Sequence, residues 1–292
     1  MRDVVCKMAR NRLWMVLLTG ILFWGIPAAA EDTASRLADH FQNKTPAPAP
    51  AKDLSLNEAM AVQADFVSLL SETWGPIIGY KAGLTSKPVQ EKFGVDQPVR
   101  GTLLKNMMLD SGAEVPADFG ARPLFEGDLM LRVGDEKINE ADTPDAALRS
   151  IDAAIPFIEL PDLLFSKEVP LNGPAIAAVN VGARYGVMGK PIAVEPTPEW
   201  ADRLAQFTLR IQDEKGTVLA EGRGSNLLGR PLNVVLWIKD SLKAEGRRLK
   251  KGDLLSLGTV TKLMPPKAGA TFRAVYLNLD PRGDAEAVVH FK

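Results

Sequence analysis

The sequence predicts an α+β fold of mixed strands with flanking helices, and two patterns predict it. Near the N-terminus, apolar residues recur at helical spacing. From about Gly101 onward, short strand-like runs alternate with glycine and proline punctuation. Two more helices are expected within this second part, at about residues 144–154, with Thr143 as the N-cap, and at about 231–245, where Gly246 ends the helix.

The first thirty residues have the order of a secretory signal peptide. Basic residues come first, an apolar run follows over residues 13–26, and residues 27–30 are Pro-Ala-Ala-Ala. The apolar run is shorter than the ~20 residues that a membrane-spanning helix needs, although an uncleaved anchor is the alternative. We therefore expect residues 1–30 to be removed and the mature protein to be exported, to the periplasm or beyond, without membrane association.

Composition excludes several kinds of chemistry. The chain has 35 Lys and Arg and 36 Asp and Glu residues, and residues 1–30 contain four of the basic residues and one of the acids. Removing residues 1–30 therefore changes the net charge from −1 to −4. Such a balance does not favour nucleic acid as a partner. Cys6 is the only cysteine and lies in the predicted signal peptide, and His40 and His290 are the only histidines. Carboxylates and lysines must therefore carry any catalysis.

The mature chain divides into two predicted parts. Residues 31–76 form an N-terminal helical segment, in which a helix over 31–43, a Pro/Ala connector over 45–50 and a helix from about Asp53 to Trp74 follow one another. We expect residues 77–292 to form one domain, which would carry any catalytic site.

A pair of acids stands in the strand-like run over residues 124–133. Because successive side chains of a strand leave opposite faces, Glu126 and Asp128 share one face, roughly 6.5–7 Å apart. Carboxylates this close do not ionise together readily unless a cation lies between them, and Mg²⁺ or Mn²⁺ prefers such oxygens. The alternative is that Glu126 faces solvent and Asp128 pairs with Arg132.

Two further charged residues stand in apolar surroundings. Glu159 lies in an apolar run over residues 155–161, where an unpaired carboxylate is costly to bury, so it is either a metal ligand or an edge residue. Asp162 is a weaker candidate for the same role. Lys81 lies in an apolar, strand-like run that begins at Ile77. Glu159 therefore extends the acid pair to a candidate metal site.

In these motifs the chain resembles the 2-keto-4-pentenoate hydratase group of the fumarylacetoacetate hydrolase family, over nearly the whole mature chain. The resemblance rests on the acid pair, Glu159 and a series of segments in order, residues 79–86, 94–98, 101–104, 171–174 and 222–233. It implies a mixed β-sandwich roll with flanking helices, a homo-oligomer, and Mg²⁺ or Mn²⁺ held by Glu126, Asp128 and Glu159. It also implies that Lys81 is catalytic.

The resemblance implies a metal-dependent lyase acting on a 2-keto acid or its enol, most simply by a hydratase reaction. A 2-keto acid decarboxylase of the same family is one alternative, and a non-catalytic exported small-molecule binding protein on the same fold is the other. We assign Leu84, Asn180 and Gly258 to the substrate site.

The chain departs from the family pattern close to this expected site. Asp128 is one methylene shorter than the glutamate of the relatives, and Val99 and Arg100 stand where the hydratases carry an acid and an aromatic residue. We expect Arg100 to recognise a second carboxylate on the substrate.

Overall fold

The computed structural model describes residues 28–49 and 54–292. Most of the predicted signal peptide, residues 1–30, lies outside the described residues, so its cleavage stays a prediction. Within the described ranges, no helix combines the length and the apolar character needed to cross a membrane.

The two helices predicted at the N-terminus are present, and they pack against each other. They are α1 (Ala28–Asn43) and α2 (Leu56–Trp74). α2 begins at a capping box, in which the Ser55 side chain accepts from the N–H of Glu58 and the Glu58 carboxylate accepts from the N–H of Ser55. It ends where Gly75 takes a φ of 81°, a conformation that favours glycine.

The described strands form two mixed sheets. In chain order they are β1 (Ile77–Gly83), β2 (Val99–Leu104), β3 (Met108–Asp110), β4 (Ala113–Val115), β5 (Glu126–Val133), β6 (Ile151–Leu160), β7 (Tyr185–Met188), β8 (Ile192–Ala193), β9 (Thr208–Asp213), β10 (Val218–Arg223), β11 (Leu254–Thr259), β12 (Thr271–Asp280) and β13 (Gly283–Phe291). The larger sheet has the order β2-β1-β11-β5-β6-β7-β3, with β8 beside β6, and the smaller has the order β10-β9-β12-β13-β4.

Among the described residues, five further α-helices connect or flank the strands. They are α3 (Lys87–Phe93), α4 (Pro144–Leu148), α5 (Gly173–Ala178), α6 (Pro198–Gln206) and α7 (Pro231–Ala244). The helix predicted at 231–245 is confirmed, and Thr143 caps α4 as expected. The helix predicted at 144–154 is wrong in its second half, because the chain from Ile151 onward is β6, which pairs with both β5 and β7.

The larger sheet separates two hydrophobic cores. One face packs against the smaller sheet, where Leu129 and Leu131 of β5 meet Leu209 and Ile211 of β9. The other face carries Met130 and Phe157, which belong to a second core with buried residues of α1, α2 and α5. Side chains that alternate along β5 therefore enter different cores. This architecture agrees with the predicted α+β class.

Candidate metal and catalytic site

Strand register brings the three predicted acids onto one face of the larger sheet. In the antiparallel pair of β5 and β6, Glu126 lies directly opposite Glu159, so their side chains leave the sheet on the same side. Asp128 follows two residues later on that same face of β5. Glu126 and Glu159 are each 4% exposed and Asp128 is fully buried. The alternative that Glu126 faces solvent is therefore wrong.

Asp128 does not pair with Arg132, which was the other part of that alternative. Arg132 instead donates from its Nε to Asp152, at 2.7 Å. The carboxylate of Asp128 accepts a hydrogen bond from the Ser256 hydroxyl and another from the N–H of Leu129. The hydrogen-bond donors to Asp128 are thus neutral groups.

Lys81 enters the same cluster from β1. Its side chain is buried, and its Nζ forms an ion pair with Glu159 and donates to the carbonyl of Val181 at 2.9 Å. The parallel register of β1 and β11 places Lys81 beside Ser256, the residue that donates to Asp128. Four strands, β1, β11, β5 and β6, therefore contribute adjacent side chains to one cluster, which we call the acid cluster: Lys81, Glu126, Asp128, Glu159, Ser256 and Thr259.

The electrostatics of the acid cluster are those of an excess of buried negative charge. Burial raises the pKa of Glu126 well above its usual value, and the charges of Glu159 and Asp128 raise it further. Burial also raises the pKa of Asp128, and the charge of Glu159 adds to the effect. Lys81 offsets part of this in both cases. Three carboxylates facing one amine favour a second cation.

The donor atoms fit a hard divalent cation. Oε1 of Glu126 accepts from the Thr259 hydroxyl at 2.9 Å, whereas its Oε2 is buried and has no hydrogen-bond partner among the described residues. Carboxylate oxygens without histidine or cysteine are what Mg²⁺ and Mn²⁺ prefer. As placed, no three His, Cys, Asp or Glu side chains within residues 28–49 and 54–292 lie close enough together to hold one metal ion. Glu159 is turned to Lys81, which supplies the positive charge.

Unusual backbone conformations hold the Val181 carbonyl against Lys81. Asn180 and Val181 have φ values of 56° and 55°, in the left-handed region that a β-branched residue such as valine rarely adopts. The Asn180 side chain accepts from the N–H of Thr102 at 2.7 Å and donates to its carbonyl at 2.8 Å. Because both ends of this amide bond β2, Asn180 fixes the segment, and its contact with substrate stays a prediction.

Leu84 and Gly258, also predicted to bind substrate, lie where β1 and β11 leave the acid cluster. Leu84 directly follows β1 with a φ of 58°. Gly258 has a φ of 101°, and a Cβ added there would lie 2.7 Å from the hydroxyl oxygen of Thr85. Glycine thus permits a close approach between the segments that follow β1 and end β11. The next residue, Thr259, donates to Glu126.

Arg100 does not join the acid cluster. It lies opposite Ala82 in the pairing of β1 and β2, whereas Lys81 lies opposite Gly101, so Arg100 and Lys81 leave opposite faces of the sheet. Its guanidinium donates to the Ser241 hydroxyl and to Glu245, each at 2.6 Å. The prediction that Arg100 recognises the substrate of this cluster is therefore not supported by its position.

Asp162 is likewise separate from the acid cluster. Its carboxylate accepts from the backbone N–H groups of Ala121, Arg122 and Leu164 and from Arg184. These contacts make Asp162 a structural residue of the loop after β6.

Three residues of this region were missed by reasoning from sequence. Ser256 and Thr259 donate to Asp128 and Glu126, and the hydroxyl of Tyr276 lies within hydrogen-bond distance of the carbonyls of Asp128 and Phe157. No local pattern marks them, because their partners are distant in the sequence. Only the register of β11 and β12 reveals them.

Comparison with known proteins identifies relatives, although no model of a protein family matches the chain. The chain is 30% identical over 199 residues to 2-keto-4-pentenoate hydratase 2 of Dechloromonas aromatica (strain RCB), covering 67% of this chain and 72% of that protein. It is 29% identical over 215 residues to 2-keto-4-pentenoate hydratase 1 of the same strain, covering 73% and 77%.

Solved structures share the fold. The 4-oxalocrotonate decarboxylase from Pseudomonas putida G7, complexed with magnesium and adipate, has a TM-score of 0.78 at 20% identity over 90% of this chain and 97% of that one. Fumarylpyruvate hydrolase from Pseudomonas aeruginosa, in complex with Mn²⁺ and pyruvate, has a TM-score of 0.52 at 12% identity over 73% and 89%. The predicted fold is confirmed. With the sequence relatives, it places this chain in the 2-keto-4-pentenoate hydratase group of the fumarylacetoacetate hydrolase family.

Proposed function

We propose that this protein is a metal-dependent lyase that hydrates a 2-keto acid through its enol, as a 2-keto-4-pentenoate hydratase does. The observation that carries the proposal is the acid cluster, in which Glu126, Asp128 and Glu159 are buried on one face beside Lys81. The names of the sequence relatives, which are hydratases, support the lyase reaction.

Glu126, Asp128 and Glu159 would hold the cation, Mg²⁺ or Mn²⁺. When bound, the cation would polarise the oxygens of a 2-keto acid and stabilise negative charge that develops on them. The chain itself prepares two of the carboxylates to act as ligands, because Thr259 and Ser256 orient Glu126 and Asp128 through hydrogen bonds. Such outer hydrogen bonds fix the direction in which a carboxylate presents its remaining oxygen.

Lys81 would handle the proton. An ammonium group has three N–H donors, and two of those of Lys81 are directed at Glu159 and at the Val181 carbonyl, which leaves one for a substrate. In hydration, one water adds across a carbon-carbon double bond, with its hydroxyl on one carbon and a proton on the other. Lys81 lies on the same face of the sheet as the three acids, and its ammonium group would give that proton; no oxidant is required.

The apolar surroundings of Lys81 would keep bulk water from this proton transfer. A Cβ added at Gly83 would lie 2.4 Å from Val181 and 3.8 Å from Val99, so both valines cover the end of β1. Excluding water strengthens the electrostatic interactions among the buried groups.

The activity test uses the purified protein with Mg²⁺ or Mn²⁺ and 2-hydroxypenta-2,4-dienoate. Loss of the ultraviolet absorbance of the dienoate, abolished by a chelator and restored by added metal, is the expected result. Absence of turnover across a panel of 2-keto acids with metal present would reject the lyase proposal.

Decarboxylation of a 2-keto acid is the second candidate, and Val99 favours it. Val99 lies opposite Gly83 at the end of β1, on the same face as Lys81. An apolar side chain therefore lies near Lys81 at the position where the hydratases carry an acid. Loss of CO₂ needs fewer proton-handling groups than addition of water. Release of CO₂ from 2-keto acids under the same conditions distinguishes it, and ligand-induced thermal stabilisation without any product would indicate a binding protein instead.

We further propose that the mature protein acts outside the cytoplasm and as a homo-oligomer. The order of basic, apolar and small residues over 1–30 supports export. Membership of the family supports the oligomer, which light scattering coupled to size-exclusion chromatography would measure.

A further inference from the structure

A groove between α2 and α7 lies outside the acid cluster. It consists of two adjoining cavities, of about 760 Å³ and about 460 Å³, which share Asn57, Met60, Arg100 and Glu245 among their lining residues. Each cavity has the size of a small-molecule site. None of the residues of the acid cluster lines either cavity.

Arg100 forms the shared floor of the groove. Its side chain is 1% exposed, with one terminal nitrogen bonded to the Ser241 hydroxyl and the other to Glu245. Its Nε is buried and has no hydrogen-bond partner in the part of the chain that the structure describes. A guanidinium that lacks one partner is a donor prepared for a carboxylate, which it binds through two parallel hydrogen bonds.

The charge of the groove favours an anion. Arg247 joins Arg100 at one end, with its Nη1 3.6 Å from the Glu245 carboxylate, so two cations face a single acid there. The other acid that lines the groove, Asp240, is paired with Lys239 at 2.8 Å. The net charge of Arg100 and the groups around it is therefore +1.

The walls of the groove favour an apolar body attached to that anion. Met60, Ala64 and Val67 of α2 line the larger cavity, and Trp237 of α7 lines the smaller. Polar side chains such as Gln63 and Thr102 share the lining, so the groove offers apolar contacts beside polar ones, as sites for amphipathic small molecules do.

We propose that this groove binds a small monocarboxylate with an aliphatic body, with its carboxylate on Arg100 and its chain between α2 and Trp237. Glu245 is the internal competitor, because it occupies one donor of the guanidinium that the ligand would use. The site is independent of the metal-dependent reaction.

The test is a titration of hexanoate into the purified protein in the presence of a chelator, so that no cation contributes to binding. The fluorescence of Trp237 and isothermal calorimetry measure the affinity, and Trp237→Phe identifies the part of the signal that comes from the groove. We expect saturable binding at millimolar concentrations or below.

Two variants give opposite expected results. Arg100→Lys keeps a positive charge for Glu245 but lacks the fork of donors, and the hexanoate affinity falls about tenfold or more. Glu245→Gln removes the competing carboxylate, and the affinity rises. Glu221→Gln, on β10 of the smaller sheet, changes an acid that lines neither cavity, so it is the matched control and leaves the affinity unchanged.

Three outcomes would overturn the proposal: no saturable binding by the wild-type protein, an affinity unchanged in Arg100→Lys, or weaker binding in Glu245→Gln. Circular dichroism of each variant separates loss of binding from loss of folding. Because the titration contains no metal and measures no product, its failure would leave the lyase proposal standing, and the reverse also holds.

Discussion

Charge balance governs the behaviour of Glu126, the acid whose Oε2 has no hydrogen-bond partner among the described residues. We predict that Glu126→Gln lowers Mn²⁺ affinity more than about tenfold, because a neutral amide replaces a charged ligand. The metal-free variant should be at least as stable as wild type, since a carboxylate repelled by two others is removed. Calorimetric Mn²⁺ titration and thermal unfolding measure both effects.

The control variant is again Glu221→Gln, which replaces an exposed acid by the same neutral amide. Glu221 pairs with Arg210 on the surface, away from the acid cluster. Equal Mn²⁺ affinity in Glu126→Gln and the control would contradict the assignment of Glu126 as a ligand.

The stabilisation by metal should depend on pH. The pKa values of Glu126 and Asp128 are raised by burial, so each group contributes stability below its unfolded pKa and loses it as pH rises through the folded one. The metal-free protein should therefore lose stability as pH rises from about 4, where model carboxyls ionise. A cation needs deprotonated ligands, so its effect has the opposite sign. We expect Mn²⁺ to raise the Tm more at neutral than at mildly acidic pH. An equal gain at both would argue against these ligands.

Lys81 is best tested against a second buried lysine. Lys81→Met should lower kcat by about 10²–10⁴, the usual contribution of a proton-handling group. Lys239, which is also buried and donates to the Ala141 carbonyl at 2.5 Å, lies in α7 and outside the acid cluster. Lys239→Met should lower stability while kcat stays near that of wild type. Steady-state kinetics and thermal unfolding of both variants give the comparison, and similar kcat losses in the two would remove Lys81 from the mechanism.

The sequence was sufficient to nominate the acids and the amine but not their neighbours. Glu126 and Asp128 share a face by simple alternation, and the apolar company of Glu159 and Lys81 marks them as unusual. The direction of Arg100 was not predictable, because it depends on which residue of β1 lies opposite it. A shift of one residue in that register would have placed it beside Lys81.

At the scale of elements, Tyr276 of β12 ties two strands of the other sheet together. Its hydroxyl accepts from the N–H of Phe157 at 2.8 Å and lies at hydrogen-bond distance from the carbonyls of Asp128 and Phe157. We predict that Tyr276→Phe lowers the free energy of unfolding by about 1–3 kcal/mol, because buried backbone groups lose their partner. Denaturant unfolding measures this loss.

Because Asp128 and Phe157 lie opposite each other in β5 and β6, the same substitution should also weaken Mn²⁺ binding slightly. Phe207→Leu, at a ring whose centroid lies 5.7 Å from that of Tyr276, is the control for lost packing without loss of a hydroxyl. A loss of stability in Tyr276→Phe no greater than about 0.5 kcal/mol would show that the bridge is not needed.

Local pattern predicted the helices that have clear start and stop signals. The helices expected from about Asp53 to Trp74 and over 231–245, the second ended by Gly246, form as α2 and α7. The extension of α4 beyond Leu148 was wrong because a short apolar run fits a helix and a buried strand equally well. This run forms the strand β6 because it pairs with strands on both sides, and the local sequence does not show that pairing.

At the scale of the whole molecule, the sheet that carries the acid cluster is covered on both faces. The smaller sheet packs on one side, and α1, α2 and α5 contribute to the core on the other. The properties of the acid cluster depend on this enclosure, since burial raises the pKa values of Glu126 and Asp128 and so creates the preference for a cation. The fold thus supplies the electrostatics, and the strand register supplies the geometry.

Export is a prediction at the scale of the whole molecule, and it rests on the predicted signal peptide. Expressed at full length in a Gram-negative host, the protein should appear in the periplasmic fraction with Glu31 as its first residue, because residues 27–30 provide the small side chains that cleavage requires. A chain that starts at Glu31 after an initiator Met is the control and should stay in the cytoplasm with the same fold by circular dichroism. N-terminal sequencing of both fractions identifies the first residue of each product. Recovery of the full-length protein with Met1 intact, whether soluble in the cytoplasm or held in the membrane fraction, would contradict export with cleavage.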